Sequence, residues 1–274
     1  MTEQPNAEPT RATDPSTATG RSLSALIELV SKAAKIVALT GAGVSTESGI
    51  PDYRGPGGVW ERQAPPTIGD FLENPETRRA YWDGRRTRYP ELVAAKPNAG
   101  HLALAALERS GRLSYVITQN IDGLHQAAGN SPDRVIELHG TAHRIRCLAC
   151  GTEWPADVIQ ARLAAAEGEP RCDVCGGPLR AATILFGEAL PREALDRAIA
   201  AARDCDLMLV VGSSLIVNPA AQLPVLAKRG GARLAMINRT PTPLDALADV
   251  HVIGEAGPTL AAVAAGVTGQ SPEQ

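Results

Sequence analysis

Short apolar runs alternate with longer helix-like stretches along most of the chain. The apolar runs are rich in Val, Ile and Leu and are not interleaved with polar residues, which is typical of strands covered on both faces. They predict the strands Lys35–Leu39, Tyr115–Thr118, Val135–Leu138, Leu207–Val211, Arg233–Ile237 and Val250–Ile253. The stretches between them predict the helices Leu23–Ala34, Gly100–Ser110, Gly123–Ala128, Arg192–Ala202, Pro219–Arg229 and Pro258–Ala265. Strand–helix alternation at this spacing predicts an α/β fold, a parallel sheet with helices on both faces.

Two stretches interrupt the alternation and divide the chain. Residues 44–99 are rich in Gly, Pro and Arg, and residues 143–180 hold two Cys-x-x-Cys pairs. We interpret both as insertions that together form a smaller module. The sheet domain would then use residues 21–43, 100–142 and 181–267, giving one folded domain over 21–267. The polar ends, residues 1–20 and 268–274, are predicted to be disordered tails.

Composition narrows the possible partners and location. The chain has 274 residues, 44% hydrophobic and 21% charged, as expected for a globular protein with a sizeable core. Its net charge of -3 and its 3% aromatic content disfavour direct nucleic-acid binding. No apolar run is long enough to span a bilayer, and the first twenty residues lack the apolar region of a secretory signal. We therefore expect no membrane partner and a cytoplasmic location.

A glycine-containing turn follows the first predicted strand. Thr40 leads into Gly41-Ala42-Gly43, and such glycines allow backbone N–H groups to approach a pyrophosphate closely. The third glycine of the usual dinucleotide fingerprint is missing, because position 46 is Thr. By itself the motif is also compatible with a tight strand-to-helix turn.

Polar residues follow the next two predicted strands, at the sheet edge where open α/β folds bind ligands. The segment TQNIDGLH places Gln119, Asn120 and Asp122 there, although Asn and Asp also serve as helix N-caps. His139 follows the third strand. Its imidazole could exchange protons near neutral pH, or it could be a buried histidine bonded to backbone.

The two Cys-x-x-Cys pairs predict a structural zinc site. Four thiolates form a closed tetrahedral site with no position open for substrate. Two disulfides are the alternative, which the lack of a secretion signal disfavours. We read the fifth cysteine, Cys205, as a small buried residue. The predicted metal ligands are Cys147, Cys150, Cys172 and Cys175.

Later strands also end in polar residues that could hold a ribose or a phosphate. Gly212, Ser213 and Ser214 follow the fourth predicted strand, and Asn238 follows the fifth. Together with GAGVSTESGIPDYRG at residues 41–55 and with TQNIDGLH, these motifs resemble the sirtuin family, the NAD-dependent protein deacylases, in its bacterial type. The resemblance extends over about residues 21–265. It implies a Rossmann-like sheet domain plus a smaller module made of a helical cofactor-loop insertion and a zinc ribbon.

The resemblance also implies roles for single residues. His139 would be the general base, and Asn120 and Asp122 would form the pocket for the nicotinamide carboxamide. Phe186-Gly187-Glu188 and Ile216-Val217 would pair with the substrate peptide as an added strand. The implied NAD-binding residues are Gly41, Ala42, Gly43, Ser45, Asp52, Tyr53, Arg54, Gln119, Asn120, Ile121, Asp122, Gly212, Ser213, Ser214, Asn238 and Ala256.

The implied reaction is NAD-dependent removal of acyl groups from protein lysines, giving nicotinamide and O-acyl-ADP-ribose. Family members that remove succinyl or malonyl groups carry a Tyr-x-x-Arg pair. Here Tyr81 would pair with Gly84, and Arg85 would pair with Trp82, so neither register is intact. We therefore expect acetyl to be the preferred group and an acylated-lysine protein to be the substrate.

Four other functions stay open at this stage. A deacylase with another chain preference and a protein ADP-ribosyltransferase would both use the same scaffold. A hydride-transferring dehydrogenase is disfavoured by the incomplete glycine fingerprint and by the zinc insertion. A non-enzymatic zinc-ribbon binding protein would have no need of His139.

Overall fold

The computed structural model describes residues 15–52, 54–55, 66–165 and 168–269. Its strands are β1 (Ile36–Thr40), β2 (Leu113–Thr118), β3 (Val135–Glu137), β4 (Gly140–Cys147), β5 (Glu153–Pro155), β6 (Leu179–Thr183), β7 (Leu207–Val211), β8 (Arg233–Asn238) and β9 (Val250–Ile253). Its α-helices are α1 (Pro15–Lys32), α2 (Ile68–Glu73), α3 (Pro75–Ala94), α4 (Ala99–Arg109), α5 (Leu124–Ala127), α6 (Ala156–Ala164), α7 (Arg192–Asp204), α8 (Leu223–Arg229) and α9 (Ala256–Thr268). None of these described helices has both the length and the apolar character needed to cross a bilayer.

The six predicted strands form one parallel sheet in the order β3-β2-β1-β7-β8-β9. The direction in which strands are added reverses between β1 and β7. In open α/β sheets the ligand-binding crevice lies at such a reversal, outside the carboxyl ends of the strands. The topology therefore fixes where a ligand site is expected.

Helices cover both faces of this sheet, as predicted. One face buries side chains of α1, α4 and α9, including Leu26, Leu104 and Leu260. The other buries side chains of α7 and α8, including Ala198 and Leu223. Every residue of β1 and β7 is buried, which explains why those strands are continuous apolar runs in the sequence.

The smaller module is built on an antiparallel sheet in the order β5-β4-β6. Helices α3 and α6 pack on it, and the fully buried ring of Trp82 contributes to their shared core. A helical insertion and a ribbon carrying the four cysteines are thus both present, as predicted. The ribbon's strands begin at Gly140 and end at Thr183, slightly outside the predicted range 143–180.

Two helix predictions need correction at their ends. α1 begins at Pro15, so residues 15–20 are helical and not part of a tail, while residues 1–14 lie outside the described residues. α9 runs from Ala256 to Thr268, two residues earlier and three later than predicted. Thr268 is thus helical and not in the predicted tail, of which residues 270–274 lie outside the described residues.

The predicted helix Pro219–Arg229 is divided in two. A 3-10 turn covers Ala220–Gln222, and α8 begins at Leu223 with Pro224 in its first turn. A proline has no N–H to donate and is accommodated at a helix start, so Pro224 marks the beginning of a new helix.

Candidate functional site

The turns that follow β1 and β7 are in direct backbone contact at the reversal point. Gly41 N donates to Val211 O at 3.0 Å, and Gly43 N donates to Gly212 O at 2.9 Å. A Cβ on Gly43 would lie 2.7 Å from the α-carbon of Gly212, and one on Gly41 would lie 2.7 Å from its oxygen. Both glycines are therefore required for this close approach. The contact places the two predicted phosphate-side segments next to each other.

The side chains of Gln119 and Asn238 converge on Ser213. Gln119 Nε2 donates to Ser213 Oγ at 2.7 Å, and Asn238 Nδ2 donates to Ser213 O at 3.0 Å. The ends of β2, β7 and β8 are thereby joined by side-chain hydrogen bonds. Ser214, next along the chain, is half-buried beside them.

Asn120, Asp122 and Ser45 form a buried hydrogen-bonded cluster. The hydroxyl of Ser45 donates to Asp122 Oδ2 at 2.7 Å and accepts from Asn120 Nδ2 at 3.0 Å. Asn120 Nδ2 also donates to Gly41 O at 3.2 Å, and Leu124 N donates to Asp122 Oδ1 at 2.9 Å. Because the Asn120 nitrogen is committed, its oxygen is left to accept a ligand N–H, beside a carboxylate that can only accept. The cluster therefore fits the N–H donors of a carboxamide.

His139 is held in a tautomer that can accept a proton. Its Nδ1 lies 2.9 Å from Gln119 O. A carbonyl oxygen only accepts, so Nδ1 carries the hydrogen and Nε2 keeps its lone pair. Burial lowers the pKa of His139 below its ordinary value, and the positive charge of Arg54 lowers it further. The side chain is therefore a neutral base at neutral pH.

Two further histidines, His101 and His125, lie directly behind this cluster. His101 Nε2 is 3.4 Å from Ser45 Oγ, and His125 Nε2 is 2.9 Å from Thr40 Oγ1. The two rings are 4.9 Å apart between centroids. Burial lowers the pKa of His101 to about 4 and that of His125 well below its ordinary value. Both are therefore neutral supports for the side chains in front of them.

The predicted cofactor loop is only partly described. Asp52 Oδ1 accepts from Gly55 N at 2.7 Å, which closes a short turn around the exposed Arg54. Tyr53 lies outside the described residues. Ala42 belongs to a short 3-10 turn, and Ile121, which lies between Asn120 and Asp122 in the chain, is half-buried.

Ala256 begins α9 and is 5% exposed. Next to it, Gly257 N donates to Glu47 Oε1 at 2.8 Å, so the glycine-rich segment is fastened to the start of α9. Sequence reasoning missed Glu47, because no motif pairs two residues so far apart in the chain.

The two segments predicted to pair with a peptide expose apolar side chains. Phe186 is 39% exposed and Ile216 is 57% exposed. The turn carrying Phe186 is fixed by a buried ion pair in which Arg180 contacts Glu188 through two hydrogen bonds of 2.7 and 3.0 Å. Glu188 also accepts from Leu185 N at 2.7 Å. Arg180 was not predicted, since a lone arginine in a ribbon strand carries no sequence signal.

The four cysteines are positioned to hold one metal ion. Their Sγ atoms all lie within 4.8 Å of one another, with Cys147 and Cys175 3.5 Å apart and Cys150 and Cys172 3.7 Å apart. Tetrahedral zinc with Zn–S bonds of about 2.3 Å requires sulfur–sulfur edges of about 3.8 Å. The donor set and spacing therefore fit a structural zinc ion. Cys205 is separately buried at 7% exposure, as predicted.

Comparison with known proteins gives concordant results. The Sir2 family model matches residues 41–219. The "NAD-dependent protein deacetylase 1" of Bradyrhizobium diazoefficiens is 46% identical over 233 residues, which is 85% of this chain and 91% of that protein.

Solved structures agree with the sequence comparison. One, described as "Structural Basis for the Mechanism and Regulation of Sir2 Enzymes", superposes with a TM-score of 0.82 at 40% identity, covering 90% of this chain and 98% of that one. Another is a Sir2 variant with a deacetylated peptide and 3'-O-acetyl ADP-ribose. Its TM-score is 0.81 at 36% identity, covering 88% of this chain and 96% of that one.

We expect the purified protein to contain one zinc ion, measured by elemental analysis. Cys172→Ser should abolish the stoichiometric zinc and destabilise the ribbon, because a structural zinc site contributes directly to folding. Cys205→Ala, which removes a thiol outside the cluster, should keep the zinc. Full zinc occupancy in Cys172→Ser would contradict the assignment.

Proposed function

This chain belongs to the Sir2 family, and from that premise we propose that it is an NAD-dependent protein deacylase acting on acylated lysines. The products are nicotinamide and an O-acyl-ADP-ribose. The observation that supports this most is the pairing of a neutral His139, with its free Nε2, and the buried Asn120–Asp122 cluster at the same edge of the sheet.

The chain's own residues would divide the binding of NAD between two ends of the site. Asn120 and Asp122 offer oxygen acceptors to the carboxamide of nicotinamide. Gln119, Ser213 and Asn238 form the hydrogen-bonded wall on the ribose side. NAD supplies the ribose carbon to which the acyl oxygen is transferred. Because a neutral amide is a poor nucleophile, orientation by these fixed groups must contribute much of the rate enhancement.

The proposed task of His139 is to accept a proton at Nε2 from a ribose hydroxyl. A general base works best when its unprotonated form dominates at the working pH. The lowered pKa of His139 satisfies that condition at neutral pH. Its hydrogen bond to Gln119 O keeps the ring in the orientation that exposes Nε2.

We propose acetyl as the preferred group because Arg85 and Tyr81, the residues nearest in sequence to an intact carboxylate-binding pair, already make contacts within the protein. Arg85 is buried, donates to Ala142 O at 2.9 Å and lies 4.1 Å from the Tyr89 ring centroid. The Tyr81 hydroxyl accepts from Ala181 N at 3.1 Å. An incoming carboxylate would have to displace these contacts.

The partner would be an acylated-lysine segment bound as an extended strand between Phe186 and Ile216. We also propose a cytoplasmic location, since a reducing compartment keeps the four clustered thiols available for a metal ion. Direct binding of nucleic acid or of a membrane is not part of the proposal.

We expect His139→Ala to reduce turnover of an acetyl-lysine peptide by about 100- to 10,000-fold, the usual contribution of a general base. Nicotinamide release with NAD measures this directly. The matched control is His251→Ala, which removes a half-buried histidine of β9, an edge strand of the sheet.

Full turnover by His139→Ala would reject the mechanism. Formation of reduced cofactor would point to a dehydrogenase instead, and transfer of labelled ADP-ribose to protein would point to a transferase.

A panel of acyl-lysine peptides tests which acyl group the enzyme prefers. The kcat/KM for acetyl-lysine should exceed that for succinyl-lysine by at least about 10-fold, because burying a carboxylate without a free cation is costly. Equal values for the two peptides would contradict the proposed acetyl preference. A peptide with a long, uncharged acyl group in the same panel separates the effect of acyl length from the effect of the carboxylate charge.

A further inference from the structure

His143 belongs to none of the motifs identified in the sequence. Its side chain contacts the backbone of Asp122, a residue of the proposed nicotinamide pocket. Its Nε2 lies 2.7 Å from Asp122 O. Because a carbonyl oxygen only accepts, the imidazole donates this hydrogen bond from Nε2. The ring also lies against Gly123, where a Cβ would be 2.9 Å from the same nitrogen.

Gly123 follows Asp122 directly and gives the backbone at this point more conformational freedom than another residue would. Its φ of +71° lies in the left-handed region, which glycine adopts at little cost. The preceding segment is fastened to β4 by Ala142 N donating to Ile121 O at 2.9 Å and by the His143 bond to Asp122 O. These two bonds fix the peptide planes from which the Asp122 side chain extends.

The two ends of Asp122 are thus held by different parts of the protein. Ser45, in the turn after β1, and Leu124, at the start of α5, fix its carboxylate. His143 fixes its carbonyl from the first strand of the ribbon. Without the His143 contact, the peptide plane between Asp122 and Gly123 would have no bond to β4, and Asp122 would be held by its carboxylate bonds and the Ala142–Ile121 bond.

The small module supports the His143 ring from behind. Tyr89 of α3 packs edge-on against it, with centroids 6.2 Å apart at 63°. The Arg85 guanidinium covers Tyr89 and donates to Ala142 O at 2.9 Å. A continuous set of contacts therefore leads from α3 to the Asp122 backbone.

We propose that His143 is a positioning residue for nicotinamide recognition, which acts by holding the Asp122–Gly123 turn through its Nε2–H. The inference rests on the proposed function, in which Asp122 contacts the carboxamide. His143 itself touches neither the carboxamide nor the reacting atoms. It acts through Asp122.

Two substitutions separate the hydrogen bond from the packing. His143→Phe keeps an aromatic ring against Tyr89 and removes the donor. His143→Gln loses the ring and places an amide N–H close to the position of Nε2. The measurements are the nicotinamide inhibition constant, KM for NAD and for the acetyl peptide, and NAD affinity by calorimetry.

His143→Phe should weaken nicotinamide inhibition and NAD binding by about 5-fold, the usual effect of losing one hydrogen bond. Its KM for the peptide should stay within about 2-fold of wild type, and His143→Gln should restore both nicotinamide and NAD constants. Should His143→Phe fail to fold, His143→Asn replaces it. Its shorter amide falls short of Asp122 O, so it should show the defect that His143→Gln does not.

The other possible outcomes would contradict either the positioning role of His143 or the proposed function. Wild-type constants in His143→Phe, an equal loss in the Phe and Gln variants, or a parallel rise in the KM for peptide would each overturn the positioning role. A wild-type protein that binds NAD but releases no nicotinamide with any acyl peptide would reject the proposed function. In that case calorimetry with NAD alone would still decide whether His143 holds the pocket.

Discussion

The site depends on one contact between two turns that carry no side chains at their closest approach. Gly43 N and Gly212 O meet at 2.9 Å, and no Cβ fits on Gly41 or on Gly43. With β1 and β7 in this register, Asn120 can bond to Gly41 O from one side while Asn238 bonds to Ser213 O from the other. A side chain at either glycine would separate the two turns, and Asn120 and Asn238 could no longer bond to them from opposite sides.

The sheet domain could be predicted from the sequence because its strands are covered on both faces. A parallel strand such as β7 is buried at every position, so it is an uninterrupted apolar run. The strands of the ribbon gave no such signal. β4 is mostly polar with only three buried residues, and β5 has three residues in all. Their stability comes from the metal-binding knuckles and from α3 and α6, which are not neighbours of β4 in sequence.

The candidate site was predictable only in part, for a related reason. Asn120, Asp122 and His139 follow strands, and the cysteines have a local spacing, so short stretches of sequence identify them. Their supports are distant in the chain. Glu47 bonds to a residue 210 positions away, and His143 bonds to one 21 positions away on another element. Side chains that act through tertiary contacts leave no periodicity or motif, and only the three-dimensional structure reveals them.

The buried side chains of His101 and His125 also make the free energy of unfolding depend on pH. In the unfolded chain each imidazole would take up a proton as the pH falls below about 6.5, its ordinary pKa. In the folded protein both pKa values are lowered, so both rings stay neutral and unfolding takes up protons. Their contribution to stability is therefore intact above that pH. Below it, the free energy of unfolding falls by up to about 1.4 kcal/mol per pH unit for each ring until the folded pKa is reached. Because burial keeps both rings uncharged behind the Asn120–Asp122 cluster, we expect the domain to lose stability as the pH falls below about 6.5.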